Sequence, residues 1–317
     1  MTAASAVPLV AIVGPTGTGK SGLSLELVEG LGKAGIPAEI VNADAMQLYR
    51  GMDIGTAKLT VEERRGIPHH LLDVLAVTET STVADYQSAA RAAIDEIRAR
   101  GAVPVLVGGS GLYLSAVLHD LRFPGTDEGI RARLEAELAA SGAAVLWERL
   151  RGVDPVAAES IDPANGRRVV RALEVVALTG APYSASLAEG EYRVPTQVLS
   201  LDVPEDERPL LKERLAERAR GMFDDGLLDE VRELRRHGLE QGTTAPRAIG
   251  YAQALAVVTD RQELQEAVEE TIRLTWRYVR RQRSWFARDR AAMRLRTGEP
   301  ALLERTLSAL LGPSSRL

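Results

Sequence analysis

The sequence of 317 residues predicts an α/β fold, with a parallel sheet core, an all-helical insertion and a helical C-terminal region. Three observations predict it. The pattern Gly14-Pro15-Thr16-Gly17-Thr18-Gly19-Lys20-Ser21 stands directly after an apolar run and before a helical one, as in a P-loop NTPase-like core. Short apolar runs alternate with helical periodicity, the mark of a parallel sheet. A long stretch, residues 121–194, carries helical periodicity alone.

The first strand is read at Pro8-Leu9-Val10-Ala11-Ile12-Val13, a buried run stopped by Gly14, and Gly19 to Lys33 follows as a helix. Ala38 to Val41, preceded by Pro37, is the second strand. Thr82 with Asp85 three residues later forms a capping box for a helix to about Arg100. Pro104-Val105-Leu106-Val107 is the third strand, stopped by Gly108-Gly109, and Gln197 to Val203 is the fourth. Helices at about Asp127–Ala140, Ala143–Leu150 and Asn165–Thr179, the last ended by Gly180 and Pro182, fill the insertion. The chain after Val203 is mostly helical and ends in a long helix from about Glu263 to Leu295. The domains are thus residues 1–120 with 195–317 as the core, and residues 121–194 as the insertion.

Apolar residues make up 45 % of the chain and charged ones 26 %, which supports a buried core. The absence of cysteine removes disulfides, cysteine-based zinc sites and thiol nucleophiles, and fits a cytoplasmic location. Met1 to Pro8 has neither a basic patch nor a long apolar core, so it does not read as a signal peptide. No apolar run approaches the roughly 20 residues that span a bilayer, so no membrane partner is expected. The net charge of −5 argues globally against nucleic-acid binding, and shifts the question to how the charge is distributed.

In the loop after the first strand, Gly14, Gly17 and Gly19 let backbone N–H groups turn inward around phosphate oxygens, and Pro15, Thr16 and Thr18 complete the expected diphosphate-binding loop. The helix N-terminus adds partial positive charge, Lys20 adds a full one, and Ser21 is placed to ligate Mg²⁺. ATP and GTP are the usual guests of such a loop, but any diphosphate presents similar oxygens. Asp44 follows the second strand, and ligands of open α/β sheets gather at the carboxyl ends of strands. Position alone leaves two readings of Asp44 open, a group at the phosphate mouth or a helix N-cap.

Asp44-Ala45-Met46-Gln47-Leu48-Tyr49-Arg50-Gly51-Met52-Asp53-Ile54-Gly55-Thr56-Ala57-Lys58 resembles the signature of the tRNA dimethylallyltransferases, also called isopentenyl-diphosphate:tRNA transferases. So do Ile67-Pro68-His69-His70-Leu71-Leu72-Asp73, Val107-Gly108-Gly109-Ser110-Gly111-Leu112-Tyr113, the segment around Arg168-Val169-Val170-Arg171-Ala172-Leu173-Glu174, Arg247-Ala248-Ile249-Gly250-Tyr251 and Arg281-Gln282-Arg283-Ser284-Trp285-Phe286. The matches run in order from Gly14 to Asp289. The chain departs from the family pattern at Ala45, where serine is usual, at Ala252, where a basic residue is usual, and at Gly166, where aspartate is frequent.

The resemblance implies transfer of a dimethylallyl group from dimethylallyl diphosphate to N6 of the adenosine at tRNA position 37, next to the anticodon. Asp44 would accept the N6 proton, Lys20 and Mg²⁺ on Ser21 would neutralise the departing diphosphate, and Thr16 would donate to the leaving oxygen. Gln47 is suited to an adenine edge, and the base would be flipped into the site. The resemblance further implies tRNA contacts at Asp44, Ala45, Met46 and Gln47, at Arg167, Arg168 and Arg171, at Arg247, Ala248, Ile249, Gly250 and Tyr251, and at Arg280, Arg281, Gln282, Arg283, Ser284 and Trp285. Ser110 and Arg131 fall at matching contact positions.

Read without the resemblance, the arginine-rich final helix (Arg273, Arg277, Arg280, Arg281, Arg283, Arg288 and Arg290) fits a solvated face better than an RNA contact. Trp276 reads as core packing. His69 and His70 read as structural, being a poor metal pair without further nearby ligands. The rival functions are a P-loop small-molecule kinase, with Asp202 as its metal-ordering aspartate, and a prenyltransferase acting on adenine nucleotides. The latter would need neither the insertion nor the arginine-rich helix. A monomer is expected, because one chain supplies every motif.

Overall fold

The computed structural model describes residues 8–186, 191–299 and 301–311. The reading of Met1 to Pro8 therefore lies, but for Pro8, outside the described residues. Two compact units are present. Met1–Leu118 with Val194–Leu317 forms one, and His119–Arg193 forms the other.

In the larger unit, β1 (Leu9–Val13), α1 (Lys20–Lys33), β2 (Ala38–Asn42), β3 (His69–His70), α2 (Val83–Ala99), β4 (Val103–Gly108) and α3 (Gly111–Leu118) come first. The smaller unit holds α4 (Glu128–Ser141), α5 (Ala143–Val153), α6 (Pro155–Ser160), α7 (Gly166–Thr179) and α8 (Tyr183–Ser186). The larger unit then resumes with β5 (Thr196–Asp202), α9 (Arg208–Asp224), α10 (Leu227–Arg236), α11 (Tyr251–Val258), α12 (Leu264–Phe286), β6 (Met293–Arg296) and α13 (Leu302–Leu311).

Among the described residues the sheet has six strands in the order β3-β2-β4-β1-β5-β6, and every pairing is parallel. Parallel strands buried on both faces should be continuous apolar runs. All five residues of β1 and all six of β4 are accordingly buried. Helices α1 and α13 cover one face through Leu23, Leu27, Leu31 and Leu307. A second apolar cluster, around Tyr49, Met52, Phe223, Leu227 and Tyr251, lies beneath the segment that follows β2 and the helices α9 to α12. Trp276 packs against Val203, Leu211, Leu215 and Val279. Thr82 caps α2, its Oγ1 accepting from the Asp85 N–H at 3.1 Å.

Two strands differ from the sequence reading. β3 is two residues long, too short for a periodicity to show. The expected helix to Leu295 ends at Phe286 instead, and Met293–Arg296 is the edge strand β6. Asp289 Oδ1 accepts the N–H groups of Ala291 and Ala292, a local turn that competes with the helix. Arg294 donates to the carbonyls of Phe286, Ala287 and Asp289 and so closes the helix end.

The smaller unit has its own core of Leu134, Leu146, Leu150, Val169, Val170 and Leu173. At its centre Glu174, with a fully buried side chain, lies 2.7 Å from Arg131 and 2.8 Å from Arg171. Arg171 also donates to the carbonyls of Pro124 and Gly125. Gly166 opens α7, where a Cβ would stand 2.7 Å from the Leu138 side chain.

Candidate active site

Three strand ends build the site. β1 runs into the loop of Gly14 to Gly19, β2 into Ala43-Asp44, and β4 into Gly109-Ser110. Since β4 lies between the other two, the phosphate-loop residues and Asp44 line one cleft of about 240 Å³. A second cavity of about 440 Å³ adjoins it, lined by Ala45, Met46, Leu215, Ala219, Met222, Ile249 and Tyr278 among others. Thr16, Asp44, Thr56 and Arg218 line both.

Gly14 has φ +148°, and a Cβ there would stand 2.1 Å from the Leu201 carbonyl oxygen, so the turn out of β1 requires glycine. Thr18 is buried, and its Oγ1 donates to the Pro15 carbonyl at 2.9 Å. Lys20 Nζ donates to the same carbonyl at 2.6 Å. Burial lowers the Lys20 pKa to about 8, against the opposing attraction of Asp44, and Arg218 adds to the lowering. Ser21 lies exposed on the first turn of α1 and lines the cleft.

Asp44 is held by local bonds. Its N–H donates to Asn42 Oδ1 at 3.0 Å, and Asn42 Nδ2 donates to the carbonyls of Asp44 and Leu71. Asp44 Oδ1 accepts the Met46 N–H at 2.9 Å, but turns rather than a helix follow. The N-cap alternative therefore describes its hydrogen bond and not its setting. Ala45 N–H donates to Ser110 Oγ at 3.2 Å. Tyr86 Oη donates to the Asn42 carbonyl, and its ring lies 4.5 Å from that of Tyr113. Buried Lys58 reaches both Asp53 and Asp73 at 2.6 Å and pins the segment after Asp44. Gln47 Nε2 donates to the Thr56 carbonyl at 3.2 Å, which leaves its Oε1 for another donor.

The candidate RNA residues separate into two groups. Arg247, Arg280, Arg281 and Ser284 are exposed in the larger unit, and Arg281 lies over the Tyr278 ring at 5.7 Å. Arg167 and Arg168 are exposed in the smaller one. Met46, Ser110 and Ile249 are half-buried and line the second cavity. The others are engaged internally. Ala248 and Gly250 are buried, and Tyr251 is fully buried with its Oη donating to Glu230 Oε1 at 2.6 Å. Gln282 is buried, with bonds to Thr16 N and Gly109 O. Arg283 pairs with Asp202 at 3.1 Å. Trp285 Nε1 donates to Ser115 Oγ at 3.3 Å. Arg131 and Arg171 hold Glu174.

Three site residues escaped the sequence reading. Arg218 of α9 places Nη2 3.4 Å from Thr16 Oγ1, and in sequence it is one more charge on a polar helix. Asn42, next after the second strand read at Ala38 to Val41, was given no role there, yet its side chain holds the Asp44 loop. Tyr278, whose hydroxyl is pushed up to about 12 by burial and by Asp44, gave no motif signal. His69 lines the cleft with Nδ1 on the Ile67 carbonyl, and His70 pairs with Glu39 at 2.6 Å. Among the described residues no group of three or more His, Cys, Asp or Glu could hold a metal ion.

Known proteins resemble this chain over nearly its whole length. The family model described as IPP transferase matches residues 47–289. The tRNA dimethylallyltransferase of Thermobifida fusca (strain YX) is 55 % identical over 300 residues, covering 95 % of this chain and 93 % of that protein. The tRNA dimethylallyltransferase of Clavibacter sepedonicus is 56 % identical over 309 residues, covering 98 % and 99 %. Among solved structures, the tRNA isopentenylpyrophosphate transferase of Bacillus halodurans is 36 % identical with a TM-score of 0.67, over 96 % and 97 % of the two chains. A eukaryotic dimethylallyltransferase solved acting on tRNA is 26 % identical with a TM-score of 0.76, over 95 % and 77 %. The chain belongs to the IPP transferase family, that of the tRNA dimethylallyltransferases.

Proposed function

We propose that this protein transfers the dimethylallyl group of dimethylallyl diphosphate to N6 of the adenosine at position 37 of tRNA, next to the anticodon, and releases diphosphate. The observation that carries the reading is the shared wall of the two cavities. A phosphate-binding loop and a carboxylate meet where a polar cleft joins an apolar cavity.

The N6 amine is a poor nucleophile because its lone pair is conjugated with the ring. The allylic carbon tolerates positive charge, so loss of diphosphate leads the reaction. The inward N–H groups of the loop, Lys20 and Arg218 stabilise charge growing on the leaving oxygens. The bond from the allylic carbon to oxygen breaks, the bond to N6 forms, and Asp44 takes the N6 proton. Gln47 presents Oε1 to the adenine edge, and pairing through both its atoms requires giving up the Thr56 carbonyl. The second cavity, with Tyr278 and Arg281 on its wall, takes the flipped base. Magnesium fits the residues present. It prefers oxygen ligands and keeps several waters, so the exposed Ser21 hydroxyl on the cleft wall would serve as its ligand from the protein. When bound, it would supply further charge neutralisation to the diphosphate.

The exposed arginines of α12 and of α7 serve as the tRNA contacts, and the protein acts as a cytoplasmic monomer. The kinase reading is disfavoured by Asp202. It pairs with Arg283 and lines neither the cleft nor the second cavity. The deciding experiment incubates the protein with labelled dimethylallyl diphosphate and either unmodified tRNA or AMP. Label in tRNA is expected. Label in AMP alone, or no transfer without ATP turnover, would overturn the proposal.

A further inference from the structure

We propose that Gln282 is a positioning residue that clamps the diphosphate loop to helix α12. The proposal deepens the transferase reading and rests on it for the rate arm of the test alone.

Gln282 lies on the segment expected to meet RNA, but it is only 5 % exposed. Its Oε1 accepts the Thr16 N–H at 3.0 Å, and its Nε2 donates to the Gly109 carbonyl at 2.9 Å. The two bonds bridge 266 and 173 residues of sequence, joining the loops after β1 and β4 to one helix. A Cβ at Gly109 would stand 2.4 Å from Nε2, so this approach needs glycine there.

Thr16 sits in the middle of a loop whose other N–H groups are set to turn toward phosphate. With its N–H engaged by Gln282, Thr16 has its hydroxyl to offer the substrate, on the side of Arg218. The clamp therefore fixes which atom of Thr16 faces the leaving group. It also fixes the loop's spacing from Asp44, because Ser110, next to Gly109, holds Ala45. One turn before Gln282, Tyr278 lines the second cavity, and Arg277, Arg280 and Arg281 are exposed around it. One helix thus carries both the cradle clamp and the basic face.

A residue that touched RNA would act on tRNA affinity. A merely packed residue would act on stability. A clamp acts on diphosphate binding and on the rate of the bound complex. Gln282→Met keeps the volume and removes both bonds. Gly109→Ala crowds Nε2 from the other side and leaves α12 untouched.

Inorganic diphosphate with Mg²⁺, titrated calorimetrically without tRNA, should bind about 10-fold more weakly to each folded variant, the equivalent of one or two lost hydrogen bonds. Single-turnover transfer should slow by about 10–100-fold, with tRNA affinity within about 2-fold of wild type. Wild-type diphosphate affinity in both folded variants would overturn the clamp. So would a loss of tRNA affinity in Gln282→Met as large as that in Arg281→Ala. A wild-type protein that failed to modify tRNA would sink the transferase reading and leave the diphosphate measurement intact.

Discussion

Asp44 Oδ1 accepts the N–H of Met46 at 2.9 Å, so one carboxylate oxygen is committed to the local turn. No hydrogen bond to its other oxygen occurs among the described residues, and Asp44 lines the cleft. Asp44→Asn can keep the turn through its amide oxygen while losing the base. The expected outcome is a single-turnover rate lower by about 10²–10⁴-fold with tRNA affinity nearly unchanged. A normal rate together with a tens-fold loss of tRNA affinity would instead make Asp44 a binding group.

Lys20 carries a pH dependence with a definite sign. Burial lowers its pKa to about 8, so the charge is present below that value and lost above it. An anion at the loop favours the charged form and raises the pKa. Diphosphate affinity should therefore fall as pH rises above about 8, and binding there should take up protons from the buffer. Calorimetry in buffers of different ionisation enthalpy checks this. For stability the sign is opposite. The charged form costs folding free energy below the depressed pKa, and the cost is relieved as pH rises from about 8 toward 10.5. Lys20→Met should lose diphosphate binding without lowering Tm. Ser21→Ala should weaken binding most at low Mg²⁺.

Much of this site was legible because each of its three loops carries a motif. The glycines and Lys20 announce the cradle, and the position of Asp44 after a buried strand announces its placement. What was not legible is long-range. Arg218 and Gln282 reach Thr16 from 202 and 266 residues away, through helices whose polar residues look solvated in sequence. The end of α12 was overrun for a related reason. Met293 and Leu295 alternate with Arg294 and Arg296, and an edge strand of four residues is masked by an arginine-rich run.

Arg218 lines both cavities and approaches the Thr16 hydroxyl. A guanidinium there can follow charge onto the departing diphosphate. Arg218→Ala should lower the transfer rate by about 10²-fold or more, a larger effect than on tRNA affinity. Arg218→Lys should recover part of the loss, since a point charge replaces a fork. Equal rates in the wild type and Arg218→Ala would leave Arg218 a bystander.

An acidic chain can hold an anionic substrate only through local charge. Arg277, Arg280 and Arg281 are exposed and have no ion pair among the described residues, whereas Arg273 is paired with Glu270. Replacing Arg281 by alanine should lower the log–log salt slope of tRNA binding by about 0.7–0.9, one phosphate contact. Diphosphate affinity should stay unchanged. Identical slopes in single alanine variants of all three would mean that tRNA is held elsewhere.

Arg171 and Arg131 belong to a different class. Both carry their charge onto Glu174, whose side chain is fully buried, and Arg171 is further held by the carbonyls of Pro124 and Gly125. Burial alone would raise the Glu174 pKa, but hydrogen bonds from Arg171 and Arg131 outweigh it and hold the carboxyl below its ordinary value of 4.5. A depressed carboxylate stabilises the fold above its unfolded pKa, and the contribution is lost as pH falls through the lower folded value. Glu174→Gln would leave two cations facing a neutral amide and should destabilise the smaller unit by about 2–4 kcal/mol, toward the lower end because both arginines reach solvent. Arg171→Ala should destabilise it less and leave the tRNA salt slope near wild type, unlike Arg281→Ala. Hydrogen exchange within His119–Arg193 reports the first effect, and tRNA binding over a range of salt reports the second. A slope lowered by a full contact in Arg171→Ala, with exchange unchanged, would show that Arg171 leaves Glu174 to meet a phosphate.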